Sequence, residues 1–479
     1  MTANVLLRGM RRDRRVPYLL VLVLVLSAGV ASTGQAHDGG SPPVDPAAPW
    51  TPKVTSLVNA LTLDEKISLV HGSTDPAPKG QAGYTASVDR LGIPPRRDVD
   101  ALGINVFKDA TAWPARMGIG ATFDRDAAGD LGRSEGTEGR ALDMDLIYGP
   151  QIDLTRSPSW VRNQTTYGED PYLSGELATD EVAGIQSRGL MDEVKHFAIY
   201  DDGSQVCNGF VPPIPTTCAT SRRVDDQTAR ELYLAPFEKA ITKAKPTSVM
   251  CAYSHYQITG TAQAEPTFAC QNGFVLNTIL RDQWSFKGFV LSDYGGTHSL
   301  SILQGMDTEF PGQNFFGATL RNVTDPASAD YNPEYAKALD RSVARILYQM
   351  QRFGLLACAS ASGPVAGCSL PKRPALDKGA GIDRSRRLAE KAAVLLKNEH
   401  ETLPLGGHDF KRGVAVVGPT ADLLPSSPGG ERSRGFGDRN QISPLDALRS
   451  ASPKGSISAA PGVDRVGDVV PASALPGGL

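Results

Sequence analysis

The stretch "KGFVLSDYGG", residues 287–296, decides how the sequence is interpreted. Its core, Phe289-Val290-Leu291, is short and apolar, which is typical of a strand buried on both faces of a parallel sheet. Asp293 and two glycines follow almost at once. A carboxylate in this position is either the N-cap of a following helix or a group that takes part in chemistry. Both interpretations are open from this stretch alone.

Three other segments share the pattern of an apolar run that ends in polar residues. They are "DLIYGPQIDL" (145–154), "GLMDEVKHFAIYDDG" (189–203) and "PTSVMCAYSHY" (246–256). Stretches with helical spacing lie between them, and alternating strands and helices predict a parallel sheet. A region of this length fits an α/β fold of the TIM type, a (β/α) barrel that we predict over residues 51–357. Asp293 would then lie at the edge of the barrel where the carboxyl ends of the strands meet.

The composition changes after residue 357. Residues 358–381 are rich in small residues and proline and are predicted to be a linker. Beyond them, "RRLAEKAAVLLKNEHETLPL" (386–405) predicts a helix leading into a strand, and "RGVAVVGP" (412–419) predicts a buried strand. Residues 382–479 are therefore expected to form the start of a second α/β sandwich domain, which we interpret as incomplete.

The N-terminus has the pattern of an export signal. Five arginines between Arg8 and Arg15 precede an apolar run, and small residues follow at 34–36. We predict a signal peptide over 1–36, a linker over 37–50, and a secreted or periplasmic protein. A membrane anchor is the alternative, although the run is shorter than the roughly 20 apolar residues that a spanning helix needs.

Charge and cysteine content narrow the function further. The net charge is −3, and no basic block lies outside the first 15 residues, so a nucleic-acid partner is not expected. The six cysteines form local pairs that suggest disulfides in an oxidising compartment, namely Cys207 with Cys218, Cys251 with Cys270, and Cys358 with Cys368. A metal site is the alternative, but no pair has the close spacing of a zinc motif.

Several polar and aromatic side chains lie near the predicted strand ends. Without a nucleotide-binding glycine loop or a metal cluster, one carboxylate among hydrogen-bonding and aromatic side chains is typical of a carbohydrate site. We therefore expect a small-molecule or oligosaccharide substrate, no cofactor and no metal. Besides Asp293, the candidate residues are Asp100, Arg162, Lys195, His196 and Tyr253.

Nine motifs, in order along the chain, resemble those of glycoside hydrolase family 3, which includes secreted β-glucosidases and β-xylosidases. The most informative are "YGEDPYLSGELA", "VKHFAIYD", "ILRDQWSFKGFVLSDYGG", "GMDTEFPG" and "AVLLKNEHETLPL". The resemblance implies that Asp293 is a catalytic nucleophile and that Asp100, Arg162, Lys195, His196, Tyr253 and the aromatic Tyr294 bind the sugar. Tyr294 stands where the family prefers tryptophan.

Each of these roles has a plainer alternative. Lys195 and His196 are otherwise a solvated strand end, and Arg162 is otherwise an ion-pair partner of Glu169 or Asp170. Lysine and arginine near Asp293 are expected to hold its pKa low and keep the carboxylate ionised.

A retaining glycosidase also needs a general acid/base about 5 Å from the nucleophile. In the β-glucosidase branch of the family this glutamate comes from the second domain, beyond the "VAVVGP" strand. We interpret Glu399, Glu401 and Glu431 as structural, so the acid/base residue is unassigned.

We therefore predict a retaining β-glycosidase that acts on non-reducing ends of small β-glucosides or related glycosides, with this chain as the front part of a longer enzyme or a shortened relative. The alternatives are a catalytically weak or silent carbohydrate-binding relative and a poorly folded product.

Overall fold

The computed structural model describes residues 50–100, 110–160, 162–201, 221–422 and 442–462. The predicted signal peptide, almost all of the linker at 37–50, and the pair Cys207 and Cys218 lie outside these ranges. Among the described helices, none has the length and apolar character that a membrane span requires.

Strands and helices alternate along the described residues between 50 and 352. The strands are β1 (Gly83–Thr85), β2 (Arg96–Asp100), β3 (Leu146–Tyr148), β4 (Met191–Phe197), β5 (Arg222–Asp225), β6 (Ser248–Cys251), β7 (His255–Thr259), β8 (Thr267–Phe268), β9 (Phe289–Ser292), β10 (Val414–Val417) and β11 (Ile457–Ala460). The α-helices are α1 (Pro52–Ala60), α2 (Leu63–Ser68), α3 (Arg116–Ala121), α4 (Arg125–Ala141), α5 (Pro171–Gln186), α6 (Asp226–Thr228), α7 (Ala235–Ala244), α8 (Ala318–Thr324), α9 (Pro333–Arg352), α10 (Lys378–Ala392), α11 (Gly407–Arg412) and α12 (Pro444–Ala451). Wider π-helical segments span Ala229–Leu234 and Phe274–Gln283, and short 3₁₀ turns occur at Asp89–Leu91, Asn163–Thr165, Ala269–Gln271, Ile302–Gln304 and Glu399–Glu401.

Six strands form the central sheet in the order β1-β2-β3-β4-β6-β9. β1 runs antiparallel to β2, and the other neighbours are parallel. Two short segments continue the sheet beyond β9. Thr308 bridges to Leu291, and Glu309 bridges to His71. The Ser73 N–H then donates to the Tyr84 carbonyl of β1 at 2.8 Å, so the backbone hydrogen bonds run in a complete ring.

The predicted TIM-type barrel is therefore confirmed, with one antiparallel strand that the sequence pattern did not predict. Helices surround the ring, and α4, α5 and α7 pack against one another in succession. α4 and α5 approach closely because Gly132 has no side chain: a Cβ there would lie 2.1 Å from the Glu181 carbonyl oxygen. The buried Arg116 of α3 bridges Glu135 on α4 and Glu181 on α5.

The second region contains α10, α11, the parallel pair β10–β11 and α12. It agrees with the predicted start of an α/β unit. The strand predicted to follow α10 is absent from the described structure, however, and this prediction was wrong. Val394, Leu395 and Leu396 are 60%, 63% and 91% exposed, because no described strand pairs with them or covers their side chains. The proposed division into domains and linkers remains a prediction.

Two of the three predicted disulfides lie in described residues and are present. Cys251 is bonded to Cys270, and Cys358 is bonded to Cys368. The second bridge closes a loop of the predicted linker at 358–381, in which Arg373 also donates hydrogen bonds to the Met144 carbonyl and to Asp145. This segment is therefore tied to the barrel.

Candidate active site

Asp293 follows the last residue of β9 at the carboxyl edge of the barrel. All four residues of β9 are buried, and Asp293 is itself only 7% exposed. Its N–H donates to the Cys251 carbonyl at the end of β6, and its Oδ1 accepts from the Tyr294 N–H at 2.7 Å. Gly295 next has a φ of 74°, in the left-handed region that favours glycine. The turn therefore holds the carboxylate at the strand end, and no α-helix begins there.

Tyr253 lies two residues after the end of the neighbouring strand β6. Its hydroxyl donates to Asp293 Oδ1 at 2.8 Å. Burial raises the pKa of Tyr253 well above its usual value, and the charge of Asp293 adds to this shift. The tyrosine therefore stays protonated and acts as a fixed donor to the carboxylate. The disulfide from Cys251 anchors the start of this loop.

His196 lies near the end of β4 between two carboxylates. Its Nδ1 is 2.8 Å from Asp153 Oδ2, and its Nε2 is 3.5 Å from Asp293 Oδ2. An Nη1 of Arg162 lies 3.1 Å from the same Nε2. Because a guanidinium can only donate, this contact makes Nε2 the acceptor and places the imidazole proton on Nδ1, facing Asp153.

The electrostatics around His196 agree with a neutral ring. Burial, followed by the positive charges of Arg162 and Lys195, lowers the pKa of His196 well below its usual value. Asp153 is also buried, and burial raises its pKa well above the ordinary range. Arg162 additionally lies over the ring of Tyr200, with its guanidinium carbon 5.8 Å from the ring centroid.

Lys195 and Asp100 form an ion pair across the mouth of the barrel. The Lys195 Nζ lies 2.7 Å from Asp100 Oδ1. The lysine side chain is buried, whereas the Asp100 side chain is 33% exposed. Both residues belong to strand ends, β4 and β2, so the pair lies on the same edge as Asp293 and presents its carboxylate towards the opening.

Tyr294 offers an aromatic face rather than a mobile hydroxyl. Its OH donates to the Ala82 carbonyl, and its ring stacks with Phe310 at a centroid distance of 6.4 Å. Tyr148 makes an edge contact on another side. The ring is thus fixed beside Asp293.

The expectation of a low pKa for Asp293 was wrong. Burial raises the pKa of Asp293 above its usual value, although Arg162, Lys195 and the hydrogen bond from Tyr253 oppose the shift. The sequence indicated the positive charges but not the depth at which the carboxylate would lie. Removal from water disfavours the charged form, and here it outweighs the neighbouring cations.

All seven candidate residues lie in one connected group. Asp293 contacts Tyr253, Tyr294 and His196; His196 contacts Arg162; and Lys195, which directly precedes His196 in β4, pairs with Asp100. Sequence reasoning missed Asp153 and Tyr200. Asp153 stands inside the apolar run "PQIDL", and an acidic residue inside such a run was the available signal, since buried charges need partners.

Glu309 has a different role from these residues. Its carboxylate accepts hydrogen bonds from the backbone N–H groups of Asn314, Phe315 and Phe316. It therefore anchors the loop after the barrel segment at 308–309. In the described part of the chain, no group of three or more His, Cys, Asp or Glu side chains is arranged to hold a metal ion.

Comparison with known proteins identifies the class to which this barrel belongs. Residues 79–311 match the model of the glycosyl hydrolase family 3 N-terminal domain. A thermostable β-glucosidase B from Acetivibrio thermocellus is 29% identical over 367 residues, which are 74% of this chain and 43% of that protein. A probable β-glucosidase A from Emericella nidulans is 32% identical over 449 residues, with coverages of 85% and 50%.

A solved structure shows the same relationship. DesR, a β-glucosidase from Streptomyces venezuelae crystallised with D-glucose, is 33% identical and superposes with a TM-score of 0.74 over 88% of this chain and 52% of its own. Through its barrel the chain belongs to glycosyl hydrolase family 3. It spans about half the length of the relatives that it matches.

Proposed function

We propose that this chain carries the nucleophile and sugar-binding site of a retaining β-glycosidase that acts on non-reducing ends of small β-glucosides or related glycosides. The observation that carries the proposal is the arrangement around Asp293: one buried carboxylate whose Oδ1 is held by Tyr253 and the Tyr294 N–H. Oδ2 has no hydrogen-bond partner among the described residues, so this oxygen is available to attack.

In the proposed reaction, Asp293 Oδ2 attacks the anomeric carbon of the glycoside, the bond to the leaving oxygen breaks, and a glycosyl ester forms on the carboxylate. Water then attacks the anomeric carbon and releases the sugar with retained configuration. The fixed donors on Oδ1 orient the carboxylate without occupying the attacking oxygen. The pair of Lys195 with Asp100 supplies hydrogen bonds to sugar hydroxyls, neutral His196 positions Arg162 at the same site through Nε2, and Tyr294 supplies the stacking face.

Likeness to proteins named β-glucosidases supports glucosides as the first substrates to test. The buried position of Asp293 supports the same chemistry. A raised pKa keeps the carboxylate basic enough to form a bond to carbon, and Arg162 and Lys195 limit the shift so that ionisation stays accessible.

A second candidate function is sugar binding without turnover. The positions of the other two carboxylates of the site, Asp100 and Asp153, favour this function. Asp100 is paired with Lys195, and Asp153 lies on the far side of the His196 ring from Asp293. Neither is therefore placed to protonate a leaving group, which would leave the chain able to bind a sugar but slow to cleave it.

The test separates nucleophile from acid by using dinitrophenyl β-glycosides, because dinitrophenolate leaves without protonation. The chain from residue 37 onward is mixed with the glucoside, xyloside and N-acetylglucosaminide, and dinitrophenol release is followed. We expect a burst close to one equivalent and, by peptide mapping, a sugar mass on Asp293.

The outcomes discriminate between the two candidates. A burst with the adduct on Asp293 supports the glycosidase proposal. Saturable binding of glucose without any burst supports the binding protein. A cooperatively melting chain that shows neither a burst nor glucose binding would refute both proposals.

A further inference from the structure

A second cavity lies at the opposite end of the barrel from Asp293. It has a volume of about 430 Å³ and is bounded by α9, the helical segment at 274–283, the turn at 302–305 and the ring of Trp50. Lys287 lines it and lies two residues before the first residue of β9, whereas Asp293 directly follows that strand. At about 3.3 Å per residue the two positions are roughly 20 Å apart along the chain, so the cavity is separate from the candidate active site.

Four basic residues line this cavity, namely Arg281, Lys287, Arg341 and Arg345. Asp282 is the one acidic residue in its lining. Beneath the cavity, Asp307 accepts hydrogen bonds from two arginines: Arg281 donates to Oδ2, and Arg345 donates to Oδ1. One carboxylate therefore serves two guanidiniums. Counting four positive charges against Asp282 and Asp307 leaves a surplus of two positive charges around the cavity.

Arg281 and Arg345 are held in place by hydrogen bonds, whereas Lys287 and Arg341 are exposed at the surface of the cavity. The Arg281 side chain is only 9% exposed, and its other contacts are the Gly288 and Gly305 carbonyls. Its Nε is buried without a hydrogen-bond acceptor in the described structure. Arg341 and Arg345 lie four residues apart on α9, so they project from the same face of the helix.

Burial and, to a smaller extent, the neighbouring positive charges both act on Arg281. Burial lowers the pKa of Arg281 to about 10, and the nearby Arg345 and Arg341 add to the shift, while Asp307 opposes it. An anion in the cavity would relieve the repulsion among these groups and provide acceptors for guanidinium N–H groups. Within the described residues, neither Lys287 nor Arg341 has a carboxylate within 4.0 Å, so neither positive charge is already neutralised by an ion pair.

We propose that this cavity is a binding site for a compact, multiply charged oxyanion of the phosphate or polycarboxylate type. Arginine forks match the planar oxygen pairs of both chemistries, and the cavity volume is in the range of small-ligand sites. The indole of Trp50, at the rim, forms an aromatic wall for an organic portion of the ligand. The proposal does not depend on the glycosidase activity.

The test uses the full chain, with inorganic pyrophosphate and citrate as probes. Binding is measured by isothermal titration calorimetry at constant ionic strength, and the melting temperature is followed against each probe. We expect saturable, one-site binding of at least one probe and a rise in the melting temperature with its concentration. Pyrophosphate alone would assign the site to phosphates, and citrate alone to polycarboxylates.

Variants on one helix provide the matched control. Arg341→Gln removes a cavity charge, whereas Lys337→Gln removes an exposed charge one turn earlier on α9, which pairs with Glu334 outside the cavity. We expect Arg341→Gln to weaken binding about tenfold and Lys337→Gln to leave it unchanged. If both variants bind the probe equally weakly, binding depends only on the overall surface charge, and the proposal is overturned.

Two further results would also overturn it. One is the absence of saturable binding of both probes by the unmodified chain. The other is full retention of affinity in the double variant Lys287→Gln, Arg341→Gln, provided that its circular dichroism and unliganded melting temperature match those of the unmodified chain.

Discussion

Strands β9 and β10 are both four residues long and mostly apolar, yet they have different surroundings. Phe289–Ser292 of β9 is completely buried between β6 and the segment at 308–309, with helices outside. Val414–Val417 of β10 pairs only with β11 in the described chain, and its residues alternate between half-buried and exposed, with Val417 67% exposed. An apolar run therefore predicts a strand, but its neighbours determine how far it is removed from water.

The difference extends to the residue that follows each strand. Asp293 follows β9 into a buried site and has a raised pKa, whereas the residue that follows β10 is Gly418, which has no side chain to ionise. Burial shifts the pKa of a carboxylate at a strand end, and such shifts are typical of functional sites. Mutations that compare the barrel with the C-terminal region test this statement directly.

The largest effect is expected from Asp293→Ala. Loss of the proposed nucleophile should reduce the dinitrophenol burst by a factor on the order of 10³ or more, since the other two carboxylates of the site, Asp100 and Asp153, are paired with Lys195 and His196. Glu399→Gln and Glu401→Gln change exposed acids in the C-terminal region and should leave the burst unchanged. A normal burst in Asp293→Ala would assign the chemistry to another residue.

Matched valine truncations compare the two strands in stability. Val290→Ala removes a fully buried side chain from β9 and should lower the free energy of unfolding by about 2–3 kcal/mol. Val416→Ala, at a half-buried position of β10, should cost less than about 1 kcal/mol. Urea unfolding measures both, and equal costs would contradict the comparison.

Asp153→Asn should weaken the site by an intermediate amount. The substitution keeps the size of the side chain but replaces one of the two carboxyl oxygens that contact His196 by an NH2 group, which cannot accept a hydrogen bond, so the ring is held less firmly. Loss of one buried hydrogen bond corresponds to about a 10–100-fold fall in the rate of adduct formation. Asp153→Glu should recover part of the rate, and Asp409→Asn, in the C-terminal region, should have no effect.

A smaller effect is expected from pH. Because the pKa of Asp293 is raised in the folded state, the carboxylate ionises only above the usual range near 3.9, and the rate of adduct formation should rise with pH through that raised value. The same shift means that stability is fully present below the unfolded pKa and is lost as pH rises through the folded pKa. Asp293→Asn should therefore melt at a higher temperature than the unmodified chain at neutral pH but not in acid.

The smallest effect is expected from Leu396→Lys. This side chain is 91% exposed, so the substitution should change the free energy of unfolding of the described structure by less than about 0.5 kcal/mol. A loss of several kcal/mol in urea unfolding would show that the segment after α10 is buried in solution.

Much of the barrel and of its candidate site could be predicted from the sequence, because both depend on strand ends. Each apolar run delivers its next polar residues to one edge, which is why Lys195, Tyr253 and Asp293 were expected together and lie together. The resemblance to a known family added Tyr294 to the candidate residues and gave each of the others an expected role.

The errors and omissions concern properties that only the packed structure creates. Asp153 was missed because its importance lies in a contact with His196, 43 residues away in the chain. The pKa shift of Asp293 was predicted in the wrong direction, because the sequence shows which residues are charged but not how deeply the carboxylate is buried. The strand expected at 394–396 failed because a strand needs a partner as well as a suitable composition.

The ring of the barrel closes through the bridging residues 71–73 and 308–309 rather than through full strands. There the Gly72 N–H donates to the Glu309 carbonyl, the Glu309 N–H donates to the Val70 carbonyl, and the Ser73 N–H donates to the Tyr84 carbonyl. This seam joins the beginning of the barrel to its end through single bridging residues, while the other junctions pair strand with strand, with one register shift between β4 and β6. We expect the barrel to open first at this seam, so that amide hydrogen exchange is faster there than at the other strand junctions of the barrel. Strand β9, which precedes Asp293, lies next to the seam.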